Sequence, residues 1–210
     1  MYIPKFNAVS DPALLHDLMR GFSFATLVTT HEGAPFATHL PFMLSTGADA
    51  GEHGTLIAHM ARGNAQWRDF DGVREALTIF QGAHAYISPS WYEEPVSVPT
   101  WNYAVVHAYG IPRIIEDEAR VQAILRALVD LHEGGFEEPW PMELPNDYFH
   151  KMIGAIVAFE IPIARLEGKF KLSQNRSPAD QRGVIEKLSA SPDANTQAVG
   201  AMMRAHSTRG

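Results

Sequence analysis

The first regular element is marked by Leu14, Leu15, Leu18 and Met19, apolar positions at the spacing of one helix face, set between polar residues. Asp11 supplies an N-cap, Pro12 the first helical position and Gly21 a stop, which predicts a short amphipathic helix over 12–20. Residues 22–30 and 36–44 are rich in β-branched and aromatic side chains and flank the turn sequence HEGAP, which reads as a hairpin. A further strand is predicted over 54–60, then a short helix capped by Asn64. Two more strands follow over 76–81 and 83–88, around a turn at Gly82.

After the loop SPSWYEEPVSVPTW comes a long β-type run, 102–115, interrupted at Gly110 and Pro112, where a bulge or an edge position relieves the missing donor. Val121, Ile124, Leu125, Leu128 and Leu131 share one face of a helix expected over 116–132 and closed by Gly134 and Gly135. A helical turn is expected over 148–152 and a strand over 154–166. Two C-terminal helices follow, one begun by Ser177, Pro178 and Asp180 and one starting after Asp193. Six or seven closely spaced strands, interrupted by helices rather than alternating with them, predict a mainly β fold: a β-barrel with peripheral helices. The expected organisation is residues 1–176 as the barrel, with 177–210 as a helical extension of the same domain.

Composition narrows the chemistry. Among 210 residues, 24 Asp and Glu outweigh 17 Lys and Arg, giving a net charge of −7, which opposes broad affinity for DNA or RNA. Cysteine is absent, so disulfides, thiolate metal sites and a cysteine nucleophile are excluded. The N-terminus lacks an apolar signal region, and no stretch reaches the roughly eighteen apolar residues of a membrane span. The expectation is a cytoplasmic protein with no membrane segment.

Against this acidic background the segment KFKLSQNRSPAD, 169–180, gathers Lys169, Lys171, Gln174, Asn175 and Arg176 just before a helix start, a set suited to a small anion such as a phosphate ester. A second candidate is AHMARGNAQW, 58–67, where Arg62 and the cap Asn64 stand at a strand-to-helix junction. The plainer reading there is a solvated arginine and an ordinary cap. Tyr86, Trp91, Tyr92, Trp101, Tyr103 and Tyr109 crowd a proline-stiffened stretch that suits a planar heteroaromatic ligand or, equally, a covered barrel end. His39, His59, His84 and His107 fall on predicted strands without HExxH-type spacing, so no metal is expected, and His39 and His59 are candidates to line a ligand pocket. No GxSxG elbow, GxGxxG or GxxxxGK[ST] loop is present.

Taken together, MYIP at the start, THLPF at 38–42, HMAR and NAQW at 59–67, AYISPSWY at 85–92, VPTWNY at 98–103 and EGKFKLSQNR at 167–176 resemble the PaiB-like family, described as FMN-binding negative transcriptional regulators. Ala58 and Ala65 depart from it, standing where Gly and Pro are expected. The resemblance implies an FMN-binding split β-barrel, a homodimer, and FMN as cofactor. It also implies that Arg62 and Asn64 hold the phosphate, that Lys169 or Arg176 reaches it or the ring edge from the same or the other subunit, and that the ring lies near His39, Leu40, Trp101 and Tyr103, with His59 and Gln174 among the cofactor-binding residues. Two functions compatible with this are repression of transcription, acting through a partner protein because no basic DNA-binding surface is evident, and an FMN-dependent oxidoreductase on a small substrate. Haem binding or degradation is a weaker third.

Overall fold

A computed structural model describes residues 1–207. In chain order the elements are β1 (Ala8–Val9), α1 (Pro12–Gly21), β2 (Phe24–His31), β3 (Ala34–Pro41), β4 (Met43–Ser45), β5 (Thr55–Ala61), β6 (Ala76–Ile87), β7 (Thr100–Gly110), β8 (Arg113–Ile114), α2 (Glu118–Glu133), α3 (Asn146–Gly154), β9 (Ile156–Lys171), α4 (Pro178–Ser189) and α5 (Ala194–Ser207). Short 3-10 turns occupy Lys5–Asn7, Ala65–Asp69 and Pro89–Trp91. The strand order is β3-β2-β6-β7-β9-β5-β4, with β1 and β8 each paired to β9. The described residues hold nine strands, more than the six or seven expected. The chain divides into two compact units, one of Met1–Phe22, Phe80–His107 and Glu167–Gly210, the other of Ser23–Ile79 and Ala108–Leu166.

In the first unit, α1 forms as its pattern dictates. The Asp11 side chain accepts from Ala13 N, and Leu15, Leu18 and Met19 are buried. A Cβ on Gly168 would lie 2.8 Å from the backbone carbonyl of Val9 as well as against the Leu15 side chain, so a glycine suits the close approach there. The expected turn at Gly82 is absent, and β6 runs unbroken from Ala76 to Ile87. Gly82 serves close approach instead, since a Cβ there would meet Ala104 O at 3.1 Å and Leu18 Cδ1 at 3.2 Å. The inward phase shifts beside it: Phe80 and Gly82 are buried, then Ala83, Ala85 and Ile87, as at a bulge. β9 continues past the expected end at 166 to Lys171, which puts Lys169 and Lys171 on a strand. Ser177 caps α4 by accepting from Asp180 N, and the buried Asp180 carboxylate accepts from Glu93 N and Glu94 N. Asp180 therefore anchors the loop before β7.

In the second unit, β2 and β3 pair from Phe24↔Pro41 to His31↔Ala34 through a turn in which Glu32 (φ 50°) and Gly33 (φ 82°) are both left-handed, the conformation that matches strand twist. The strand expected over 36–44 breaks at Phe42, whose N–H donates to Ser23 O and whose ring meets Phe159 edge-on at 6.2 Å. The helix expected after Asn64 is only the 3-10 turn Ala65–Asp69. α2 buries Val121, Ile124 and Leu128 with Ile115 and Ala158, but Leu131, expected on the same stripe, is 55% exposed because the helix runs on beyond that core.

At Gly110 a Cβ would lie 2.2 Å from Pro162 O, a backbone atom with nowhere to retreat. Gly110→Ala should lower stability by about 3 kcal/mol, read from the urea midpoint. Gly21→Ala, with nothing within 4 Å of the added carbon, is the control and should leave the midpoint within about 0.5 kcal/mol or raise it.

Candidate functional site

In the second unit, β5 ends at Ala61 and the chain turns through Arg62, Gly63 and Asn64. Asn64 Oδ1 accepts from Gln66 N at 3.0 Å and its Nδ2 donates to Thr38 Oγ1 at 2.9 Å, so both ends of the amide hold the turn. Arg62 Nε donates to Gly154 O and Nη2 to Ile156 O, each at 2.7 Å. A cation there suits the carbonyls left open at the C-terminus of α3. Nη1 has no partner among the described residues, and Arg62 is exposed.

Behind this turn lies a polar cluster that sequence reasoning missed. Gln66, with no exposed surface, shares its Nε2 among Leu27 O, Thr29 Oγ1 and Phe36 O, each at 3.2 Å. Thr29 Oγ1 donates to Asp69 Oδ2 at 2.9 Å, and Asp69 Oδ1 lies 2.8 Å from His31 Nδ1. That hydrogen bond, with the carboxylate charge, raises the His31 pKa above the ordinary 6.5. The only sequence signal was a glutamine two residues after a cap.

His39 and Leu40, expected together at a flavin ring, project to opposite faces of β3, because successive strand residues alternate. His39 is exposed and stacked on Phe24 at 6.4 Å, whereas Leu40 is in the core, so Leu40 offers no side chain to a pocket that His39 lines. His59 is partly buried on β5. Desolvation lowers its pKa, and its Nδ1 is shut from solvent with no hydrogen-bond partner.

In the first unit, Trp101 and Tyr103 alternate outward on β7, and Trp101 is 52% exposed. His84 and Tyr86 each place a ring 6.1 Å from Trp101. Gln81, His84, Trp101, Tyr103 and Val105 line an open hollow of about 360 Å³. Lys169 Nζ lies 5.3 Å from the Tyr103 ring centre and 5.7 Å from that of Tyr2. Lys171 donates to Trp101 O at 2.6 Å and to Thr100 Oγ1. Arg176 sits 4.2 Å over the Tyr92 ring and donates to Ser97 Oγ at 3.0 Å. Gln174 is a local brace, its Oε1 accepting from Leu172 N at 2.7 Å and its Nε2 donating to Phe170 O.

A flavin mononucleotide needs a flat apolar wall and a cation for its phosphate. Exposed aromatic rings beside Lys169, and an exposed Arg62 with one nitrogen unengaged, are groups of those two kinds.

The comparisons with known proteins agree. Residues 1–165 match the family model described as "Putative FMN-binding domain". The chain is 37% identical over 205 residues to the Protease synthase and sporulation protein PAI 2 of Bacillus subtilis (strain 168), covering 97% of this chain and 96% of that protein. Among solved structures, the flavocytochrome Anf3 of Azotobacter vinelandii superposes with a TM-score of 0.62 at 18% identity, over 80% of this chain and 72% of that one. An FAD- and haem-binding protein from Mycobacterium smegmatis gives 0.59 at 18%, over 79% and 73%. At such identities the structural likeness is one of fold, the split β-barrel class with peripheral helices expected from the sequence. The match along residues 1–165 and the 37% identity across nearly the whole length place this chain in the FMN-binding domain family to which its sequence blocks pointed, with FMN as its cofactor.

Proposed function

We propose that this chain is an FMN-binding regulator of the PaiB type, a cytoplasmic homodimer that restrains gene expression through a partner protein. The observation that carries this reading is its 37% identity along 97% of its length to a protein whose name ties it to protease synthesis and sporulation. Electrostatics favour the indirect route: the net charge is −7, and the exposed cations of α4, Arg182 and Lys187, are interleaved with Glu186. Among the described residues no helix is long and apolar enough to cross a membrane. On this reading the second unit offers Arg62 to an FMN phosphate, with Asn64 holding its turn and His39 and His59 offering imidazoles, and the first unit by itself offers the aromatic faces of Trp101 and Tyr103 and the charge of Lys169.

A second reading, an FMN-dependent oxidoreductase, is favoured by the open hollow of about 360 Å³ between His84 and Tyr103, of a size to take a small planar substrate.

The purified protein should show flavin absorbance in the near ultraviolet and blue, and Arg62→Ala and Lys169→Ala should each weaken FMN binding by about tenfold in a fluorescence titration. Unchanged affinity in both variants removes those assignments. The FMN-loaded protein should sediment as a dimer and give no specific gel-shifted complex with duplex DNA at physiological salt; a specific complex would replace the partner route with direct binding. Bleaching of the flavin by NADH or NADPH, with reoxidation on adding a small substrate, is the outcome expected of the oxidoreductase, and a flavin inert to both excludes it.

A further inference from the structure

The first unit contains a pocket of about 200 Å³ lined by Tyr92, Thr100, Asn102, Lys171, Ser173, Asn175 and Arg176 among others. Its size decides what it can hold. Pockets for whole small ligands run to roughly 300–1,000 Å³, so this one takes a group, not a flavin ring.

Its chemistry is that of an anion site. Lys171 and Arg176 both line it, and neither forms an ion pair among the described residues. Lys171 spends two of its three N–H groups on Thr100 Oγ1 and Trp101 O, and Arg176 spends Nη1 on Ser97 Oγ, which leaves donors on both. The exposed Asn175 amide has no partner among the described residues. Asn102 and Ser173 are engaged with each other, at 2.9 and 3.3 Å, and form a rigid floor. Burial, then the charges of Lys169 and Arg176, lower the Lys171 pKa, with no carboxylate acting the other way. The nearby acids, Glu93, Glu94 and Asp180, line a separate hollow with Asn175 and Arg176, and Asp180 is occupied by the N–H groups of Glu93 and Glu94.

Like charges gathered without a counter-ion cost stability unless an anion joins them. On the reading that puts the FMN phosphate at Arg62 in the second unit, these groups of the first unit are left to a different anion. We propose that this pocket binds the phosphoryl group of a small ligand other than FMN. Two cations with amide and hydroxyl donors match a dianion better than a carboxylate.

The probe is inorganic phosphate, titrated calorimetrically into the FMN-loaded full chain. Saturable binding of one phosphate per chain is expected, weakened about tenfold or more by Lys171→Gln and by a smaller factor by Asn175→Ala, with FMN affinity unchanged in both. Asn175→Ala removes no internal bond, so it stays informative even where Lys171→Gln fails to fold. Phosphate affinity should fall as pH rises through the lowered Lys171 pKa, because only the protonated amine attracts the dianion. The proposal is overturned by absence of saturation, by phosphate that displaces FMN, or by a Lys171→Gln protein that loses its preference for FMN over riboflavin. The last two outcomes would make the pocket the cofactor's own phosphate cradle.

Discussion

A single buried amide, Gln66 Nε2, holds the turn that carries Arg62 and Asn64 against the β2–β3 hairpin, and the second unit's candidate site depends on it. Removing this donor takes a hydrogen bond from the buried carbonyl of Leu27, at a cost of about 1–3 kcal/mol, and another from the half-buried carbonyl of Phe36. The same amide bonds Thr29, which reaches Asp69, which orients His31. Asn64 adds its own bonds to Thr38 and Gln66. Six side chains thus brace one turn, and its geometry is set before any ligand arrives.

Four of the cations in this acidic chain form no ion pair among the described residues. Arg62 is satisfied by the carbonyls of Gly154 and Ile156, Lys169 by the rings of Tyr2 and Tyr103, Lys171 by Thr100 and Trp101, and Arg176 by Tyr92 and Ser97. Carbonyls, hydroxyls and ring faces orient a cation without neutralising it, so the positive charge stays available to an anion. Carboxylates that could have cancelled it are used elsewhere: Asp180 by backbone N–H groups, and Asp71 by Arg74 and the backbone N–H groups of Val73 and Arg74, which hold its pKa down to about 2.

Local elements were legible because their signals are local. Asp11 with Pro12 and Ser177 with Pro178 each cap where the pattern places a helix start, since a cap needs only residues a turn away. Gly82 shows the limit. Read along the chain it signals a turn, but its lack of a side chain answers to Ala104 and Leu18, distant in sequence, so the strand continues through it. Phe42 likewise breaks a strand because its ring meets Phe159.

By itself the sequence determined the mainly β class, the helix starts, the family and therefore FMN, because caps, periodicity and long residue blocks are properties of contiguous chain. The role of each site side chain was decided only in the tertiary structure. Gln174 and Asn64 each brace the chain around them, and Leu40 turned inward while His39 turned out. Lys171, Asn175 and Arg176 came to line one small pocket with Thr100 and Asn102, about seventy positions away. The reason is physical: whether a polar group is free for a ligand depends on which partners reach it across the fold, and hydrogen bonds between distant segments are not written in local order.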